Sequence, residues 1–166
     1  VPQLAGEYLK AIRERQPRGP YRLAGFSFGG VLAYDIAQTL RREGDAVEFL
    51  AILDSDVPGR AGGSSGLLAG LKEQARQLRQ SGARLIGSSE SGLDPVAQER
   101  NLRYLEAMRS YQAEPYGGPA VCVLSADSPV HDAGYAWDAL IAELATLKID
   151  NTHLGILRGN SVMQLA

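Results

Sequence analysis

Residues 21–30, Y-R-L-A-G-F-S-F-G-G, read as a short apolar strand that runs into a glycine-flanked serine and then straight into a helix. Gly25, Ser27 and Gly29 have the G-x-S-x-G spacing of a nucleophile elbow. Such a turn lifts its serine above the end of a sheet at a sharp strand-to-helix junction. Small residues two before and two after the serine are expected, because strand and helix nearly touch there. The spacing alone is a weak signal, since glycine and serine are common in turns. Its surroundings strengthen it: a strand pattern before, a helix pattern after, and acid and histidine candidates downstream.

Upstream, residues 3–15 place Leu4, Tyr8, Ala11 and Ile12 on one face and Glu7, Lys10, Arg13 and Glu14 elsewhere, an amphipathic helix. Gln16-Pro17-Arg18-Gly19-Pro20 ends it, because neither proline can supply a helical amide. The strand then covers Tyr21 to Ala24. After the serine, Leu32, Ile36 and Leu40 recur every four residues beside Ala33 and Ala37, whose small size lets the helix lie close on a sheet. Arg41 and Arg42 suit its C-terminal dipole and Gly44 its stop. Residues 47–53, V-E-F-L-A-I-L, are an almost unbroken apolar run, which predicts a central parallel strand covered on both faces. The polar loop after it, Asp54 to Gly59, falls at the strand's C-terminal end, where open α/β sheets build their sites.

From Arg60 to about Tyr116 the pattern changes to helices without strands. A glycine-serine segment, Gly62 to Gly66, leads to a helix from Leu67 to about Gln80. Residues 81–92 are again rich in glycine and serine, and a second helix runs from about Asp94 to Tyr111. Two tethered amphipathic helices suggest a mobile lid inserted over the sheet at about 60–112; a pair of ordinary crossover helices is the alternative. Ala120 to Ala126 is a third strand followed by Asp127-Ser128-Pro129. Trp137 to Leu144 reads as a helix, and Leu147, Ile149 and their neighbours as a short last strand that leads into Asn151-Thr152-His153-Leu154-Gly155. The fold class this implies is α/β, a mostly parallel sheet flanked by helices.

The 166 residues suffice for one domain with a proper core, and 45% hydrophobic and 22% charged residues are those of a globular protein. A formal net charge of −2, with no basic cluster, argues against a nucleic-acid partner. The single cysteine, Cys122, excludes an internal disulfide framework and most cysteine-based metal sites; in its apolar run it reads as a buried structural thiol. No apolar segment approaches a membrane span and no signal peptide is visible, so a reducing, cytoplasmic setting is expected. No bound metal or resident cofactor is expected either. The start at Val1 without methionine, and the stop at Ala166 shortly after a helix-like start near Asn160, suggest a piece of a longer polypeptide.

In chain order an elbow serine comes first, a strand-end aspartate next and a strand-end histidine last, the Ser…Asp…His order of an α/β-hydrolase. The chemistry needs this division of labour. A serine hydroxyl is a poor nucleophile until an imidazole takes its proton, and the imidazole must be held in one tautomer by a carboxylate. Of the two histidines, His131 lies in a loop of turn formers, whereas His153 follows the last strand, where this order places the base. Asp54 and Asp127 both end strands, and residue chemistry does not separate them; Asp56 reads better as a solvated turn former.

The segment from Leu4 to Gly59 resembles the thioesterase domain that ends modular nonribosomal peptide and polyketide synthases. The residues that carry the likeness are Q-P-R-G-P-Y-R-L-A-G-F-S-F-G-G-V-L-A-Y-D-I-A and L-D-S-D-V-P-G. It resumes at V-C-V-L-S-A, Trp137 and Thr152-His153. The phenylalanine after the serine is more similar to the synthase-embedded peptide-type domains than to stand-alone editing thioesterases, whose elbow more often has methionine there.

The resemblance implies an α/β-hydrolase fold with a helical lid, acting on an acyl or peptidyl thioester tethered to the 4'-phosphopantetheine of a carrier protein domain. Release by water or by an internal nucleophile would give an acid or a macrocycle. It implies Ser27, Asp54 and His153 as triad, with Asp127 in reserve, and the Phe28 amide as one oxyanion donor. Leu67, Leu68, Leu71, Leu105 and Met108 are the apolar residues that lid helices would turn toward the acyl chain. A general esterase or lipase, or a non-catalytic remnant of the fold, are the other readings.

Two departures stand out. Asn151 occupies the position where the family usually has a glycine two residues before the histidine; asparagine tolerates left-handed geometry better than most residues. The second oxyanion donor in this fold comes from a loop after an earlier strand, upstream of Val1. Loss of one donor costs about a hundredfold to a thousandfold in rate. A weak or inactive enzyme is therefore expected unless that segment is supplied.

Overall fold

The computed structural model describes residues 1–57, 95–126 and 137–158. Helix α1 (Pro2–Arg15) precedes strand β1 (Tyr21–Phe26), helix α2 (Phe28–Arg42) and strand β2 (Val47–Leu53). Helix α3 (Pro95–Ser110), strand β3 (Ala120–Ser125), strand β4 (Leu144–Ile149) and a 3-10 turn (Gly155–Leu157) follow. The strands form one sheet in the order β1-β2-β3-β4, all parallel. Because every strand points the same way, their C-terminal ends line one edge.

The apolar run at Val47–Leu53 does what its composition predicts. Side chains alternate across a strand, and Leu50 and Ile52 join the core shared with α2, while Ala51 and Leu53 face a second cluster with Val123, Ile149 and Ile156. Helix α2 lies against this sheet and buries Val31, Ala33, Tyr34, Ile36, Ala37 and Leu40; Ala33 and Ala37 keep it close. Ala5 and Leu9 of α1 cover its outer side.

Polar anchors fix α2 from the flank. The Tyr34 hydroxyl (2.5 Å) and the Gln38 amide (2.8 Å) both donate to the Glu114 carbonyl. Burial pushes the Tyr34 hydroxyl up to about 12, so it stays a donor. The C-terminal half of α3 sits on the same core: Met108 is 4% exposed, Ala107 is half-buried, and Tyr104 stacks on Phe28 with ring centroids 4.4 Å apart. Of the expected insertion, the first helix and its linkers lie outside the described residues.

The helix expected over Trp137–Leu144 is not formed. The amides of Leu140 and Ile141 both bond the Trp137 carbonyl, giving a single turn, and Ile141 then bridges to Tyr116. Trp137 is wholly buried, donates from its indole N–H to the Ser55 carbonyl at 2.7 Å and packs against Tyr34. With the chain anchored there, residues from Leu144 onward pair with β3 instead of completing a helix. Tertiary pairing overrides a helix-like local pattern.

Where β1 hands over to α2, the close approach is set by a different pair of glycines from the one the spacing suggested. A Cβ on Gly25 would lie 2.0 Å from the Gly29 carbonyl oxygen, and one on Gly30 would lie 2.6 Å from Ser55 Cβ. A Cβ on Gly29 would meet nothing within 4 Å. Gly30→Ala is therefore expected to destabilise by about 1–3 kcal/mol through overpacking. Gly29→Ala should be neutral or stabilising by up to about 1 kcal/mol, since alanine is the better helix former. Urea unfolding midpoints of the two variants would show the contrast; equal losses would refute it.

Candidate active site

Ser27 stands alone between β1 and α2 with φ 54° and ψ −126°, a conformation that side-chain-bearing residues rarely adopt. Two backbone bonds hold it there: its amide donates to the Leu53 carbonyl of β2 (2.8 Å), and its carbonyl accepts from Gly30 (2.9 Å). Its hydroxyl makes no capping bond to α2, so it is not consumed by the helix it precedes. Phe28 is the first residue of α2, and first-turn amides lack a carbonyl one turn back. The positive end of the helix dipole lies at this turn as well.

Asp54 follows β2 and is the other non-glycine residue with positive φ among the described residues, at 46°. Aspartate tolerates that region better than most residues. The turn starts as the Asp54 amide donates to Val123 at 2.7 Å, and the side chain is directed toward β3 and β4. Only 2% of that side chain is exposed. Its oxygens are well supplied: Oδ1 accepts from the Ser125 amide (3.0 Å), and Oδ2 accepts from the Ser125 hydroxyl (2.5 Å) and from His153 Nδ1 (2.6 Å). Burial alone would raise the carboxyl's pKa, and it is the largest single influence. The bonds from His153 and from the side chain and amide of Ser125, with the attraction of His153, together outweigh it and hold Asp54 below its ordinary value of 3.8. An ionised carboxylate only accepts, so Nδ1 of His153 carries the hydrogen and Nε2 is the nitrogen left for base chemistry.

His153 is presented by a short loop after β4. The Asn151 carbonyl accepts from Ala126 at 2.9 Å, tying the loop to the end of β3. Asn151 does not use the left-handed geometry that asparagine tolerates. It keeps the turn by its side chain instead, accepting from the Thr152 amide (2.8 Å) and donating to the Gly155 carbonyl (3.2 Å). Gly155 makes room for this, since a Cβ there would lie 1.9 Å from Asn151 Oδ1. The imidazole, with 23% of its side chain exposed, packs on Phe26, ring centroids 4.5 Å apart. Phe26 is the residue immediately before Ser27, so the imidazole and the elbow are neighbours.

Ser27, Asp54 and His153 thus come from the ends of β1, β2 and β4, along one sheet edge. Ser125, at the end of β3, fills the remaining place in that row. It was not singled out from the sequence; the available signal was a polar residue closing an apolar strand. Asp127, His131, Leu67, Leu68 and Leu71 lie outside the described residues, as does the side chain of Leu105. Met108 belongs to the main core cluster. The Cys122 thiol is buried and pushed up to about 12, first by burial and then by the Asp54 charge, which leaves it inert at neutral pH. Among the described residues no cluster of three or more His, Cys, Asp or Glu could hold a metal ion, and no helix is long and apolar enough to cross a membrane.

The thioesterase domain family model matches residues 1–91. The bikaverin polyketide synthase bik1 of Gibberella fujikuroi is 37% identical over 118 residues, 68% of this chain and 5% of that protein. The vanchrobactin synthetase VabF of Vibrio anguillarum is 27% identical over 175 residues, 98% of this chain and 6% of its own length. The chain thus spans about a twentieth of the curated relatives it matches. Among solved structures, the NocB thioesterase domain from the nocardicin cluster, in covalent complex with a fluorophosphonate nocardicin G analog, superposes with TM-score 0.70 at 26% identity, over 97% of this chain and 70% of that one. The RedJ thioesterase of Streptomyces coelicolor gives 0.68 at 24%, over 98% and 66%, a likeness of fold. With the family model matching more than half of its residues, on an α/β-hydrolase sheet, the chain belongs to the thioesterase domain family, of the type found in polyketide and nonribosomal peptide synthases.

Proposed function

We propose that this chain carries the acyl-transfer centre of a serine thioesterase that releases an acyl or peptidyl chain from the phosphopantetheine arm of a carrier protein, through an ester on Ser27. The observation that carries the reading is the 2.6 Å bond between His153 Nδ1 and Asp54 Oδ2, beside the strained serine. It is the half of a triad that sets tautomer and orientation. The choice of a carrier-bound thioester rests on the family and on relatives that are polyketide and peptide synthases.

In this reading Ser27 Oγ bonds to the thioester carbon as its proton passes to His153 Nε2. The carbonyl oxygen becomes an oxyanion that accepts from the Phe28 amide at the start of α2. The carbon–sulfur bond then breaks, and the pantetheine sulfur leaves with the proton from Nε2. A water, or a hydroxyl or amine within the tethered chain, next gives a proton to Nε2 and attacks the ester. Ser27 recovers its proton, and an acid or a macrocycle departs. Asp54 stays ionised throughout and balances the imidazolium.

A fluorophosphonate probe should label the protein at Ser27, and Ser27→Ala should abolish labelling in a gel-based assay; undiminished labelling of that variant would refute the assignment. Asp54→Asn should lower kcat on the order of a thousandfold to ten-thousandfold, through the wrong histidine tautomer. The same substitution has a signature in stability. A carboxyl whose folded pKa lies below its unfolded 3.8 stabilises fully above that pH and loses its contribution as pH falls through the lowered folded value. The stability gap between wild type and Asp54→Asn should therefore be largest near neutral pH and shrink below about pH 4. Urea titrations across that range would read it, and a gap independent of pH would count against the depressed carboxyl.

A further inference from the structure

The geometry points to Ser125 as a positioning residue of this centre: its hydroxyl and amide clamp Asp54 in the one orientation in which it can hold His153. The inference rests on the triad reading above. Ser125 is fully buried at the end of β3, between the strand that delivers Asp54 and the strand that delivers His153. Its amide donates to Oδ1 and its hydroxyl to Oδ2 of the same carboxylate, at 3.0 and 2.5 Å. A carboxylate on a single bond to histidine could still rotate about its own side chain. Gripped at both oxygens by one residue, it cannot turn without breaking two bonds made to a rigid strand.

The clamp also answers an electrostatic difficulty. A carboxyl this deeply buried tends to hold its proton, and a protonated acid would neither fix the tautomer nor balance an imidazolium. The Ser125 hydroxyl donates to Oδ2, the oxygen that also faces His153, so it stabilises the ionised form where the charge is needed. It also shares that oxygen with the imidazole, which keeps the acid from drawing the Nδ1 proton too strongly.

A structural serine would serve the fold alone; a positioning serine changes how rate depends on pH. Ser125→Ala removes the hydroxyl and keeps the amide bond, and Ser125→Cys replaces the hydroxyl with a weak donor of similar size. Both should lower kcat on the order of tenfold to a hundredfold, with KM for an acyl N-acetylcysteamine thioester little changed. Both should also move the acid limb of kcat/KM to higher pH, because the Asp54 carboxylate, with one donor fewer on Oδ2, holds the imidazolium form of His153 more strongly. The low-field proton resonance of His153 Nδ1 should shift in the same variants.

The measurements are made on the enzyme in its complete polypeptide, with circular dichroism to confirm folding; if the alanine variant fails to fold, the cysteine variant supplies the profile. An acid limb unmoved while the melting temperature falls, or a rate equal to wild type, would overturn the proposal and make Ser125 a packing residue only. Failure of the underlying triad reading looks different: Ser27→Ala or Asp54→Asn would retain wild-type turnover whatever Ser125 does.

Discussion

A carboxylate with almost no contact with water has to be held by its neighbours, and much of this site is arranged around that need. Asp54 gathers hydrogen bonds from the ends of two other strands, so strands β2, β3 and β4 are joined at their C-terminal edge by one side chain as well as by the backbone ladder. Each bond serves twice. It offsets the desolvation of a buried charge, and it fixes where the imidazole of His153 stands. The parallel order of the sheet makes this possible, because strand ends that converge on one edge bring together residues far apart in the chain.

The elbow solves a second problem by backbone crowding. Ser27 adopts a disfavoured conformation because strand β1 enters and helix α2 leaves within a single residue. Gly25 lets the helix backbone pass, and Gly30 lets the Ser55 side chain pack against the first turn. The same loop that provides Asp54 therefore presses on the helix that begins after Ser27. Trp137, bonded to the Ser55 carbonyl, secures the loop from the other side. Ser27 and Asp54 are thus braced against each other before any histidine is considered, which is how a strained turn persists in a folded chain.

Helix α3 extends this bracing. Tyr104 stacks on Phe28, the residue whose amide begins α2, and Met108 reaches the main core. The family likeness rests on the order of residues along the chain, and the site geometry on the strand ends that bring Asp54, Ser125 and His153 together.

Much of this was legible in the residue order. The strand–serine–helix pattern of residues 21–30, the apolar run 47–53 and the spacing of small residues in α2 depend on local periodicity, and local periodicity is written in the chain. So is the order serine, aspartate, histidine. Tertiary structure decided the rest, because those choices depend on partners distant in sequence. Whether Gly29 or Gly30 is the tight glycine depends on Ser55, which arrives from the loop after β2. Residues 137–144 have a helical composition, yet Trp137 is anchored to Ser55 and Ile141 to Tyr116, so the chain turns and pairs instead. Asn151 stands where a glycine is usual in the family, and it caps the loop with its side chain because Gly155 leaves space. Ser125 is one polar residue near the end of the apolar run 120–126; only the register of β2, β3 and β4 sets its hydroxyl and amide against Asp54.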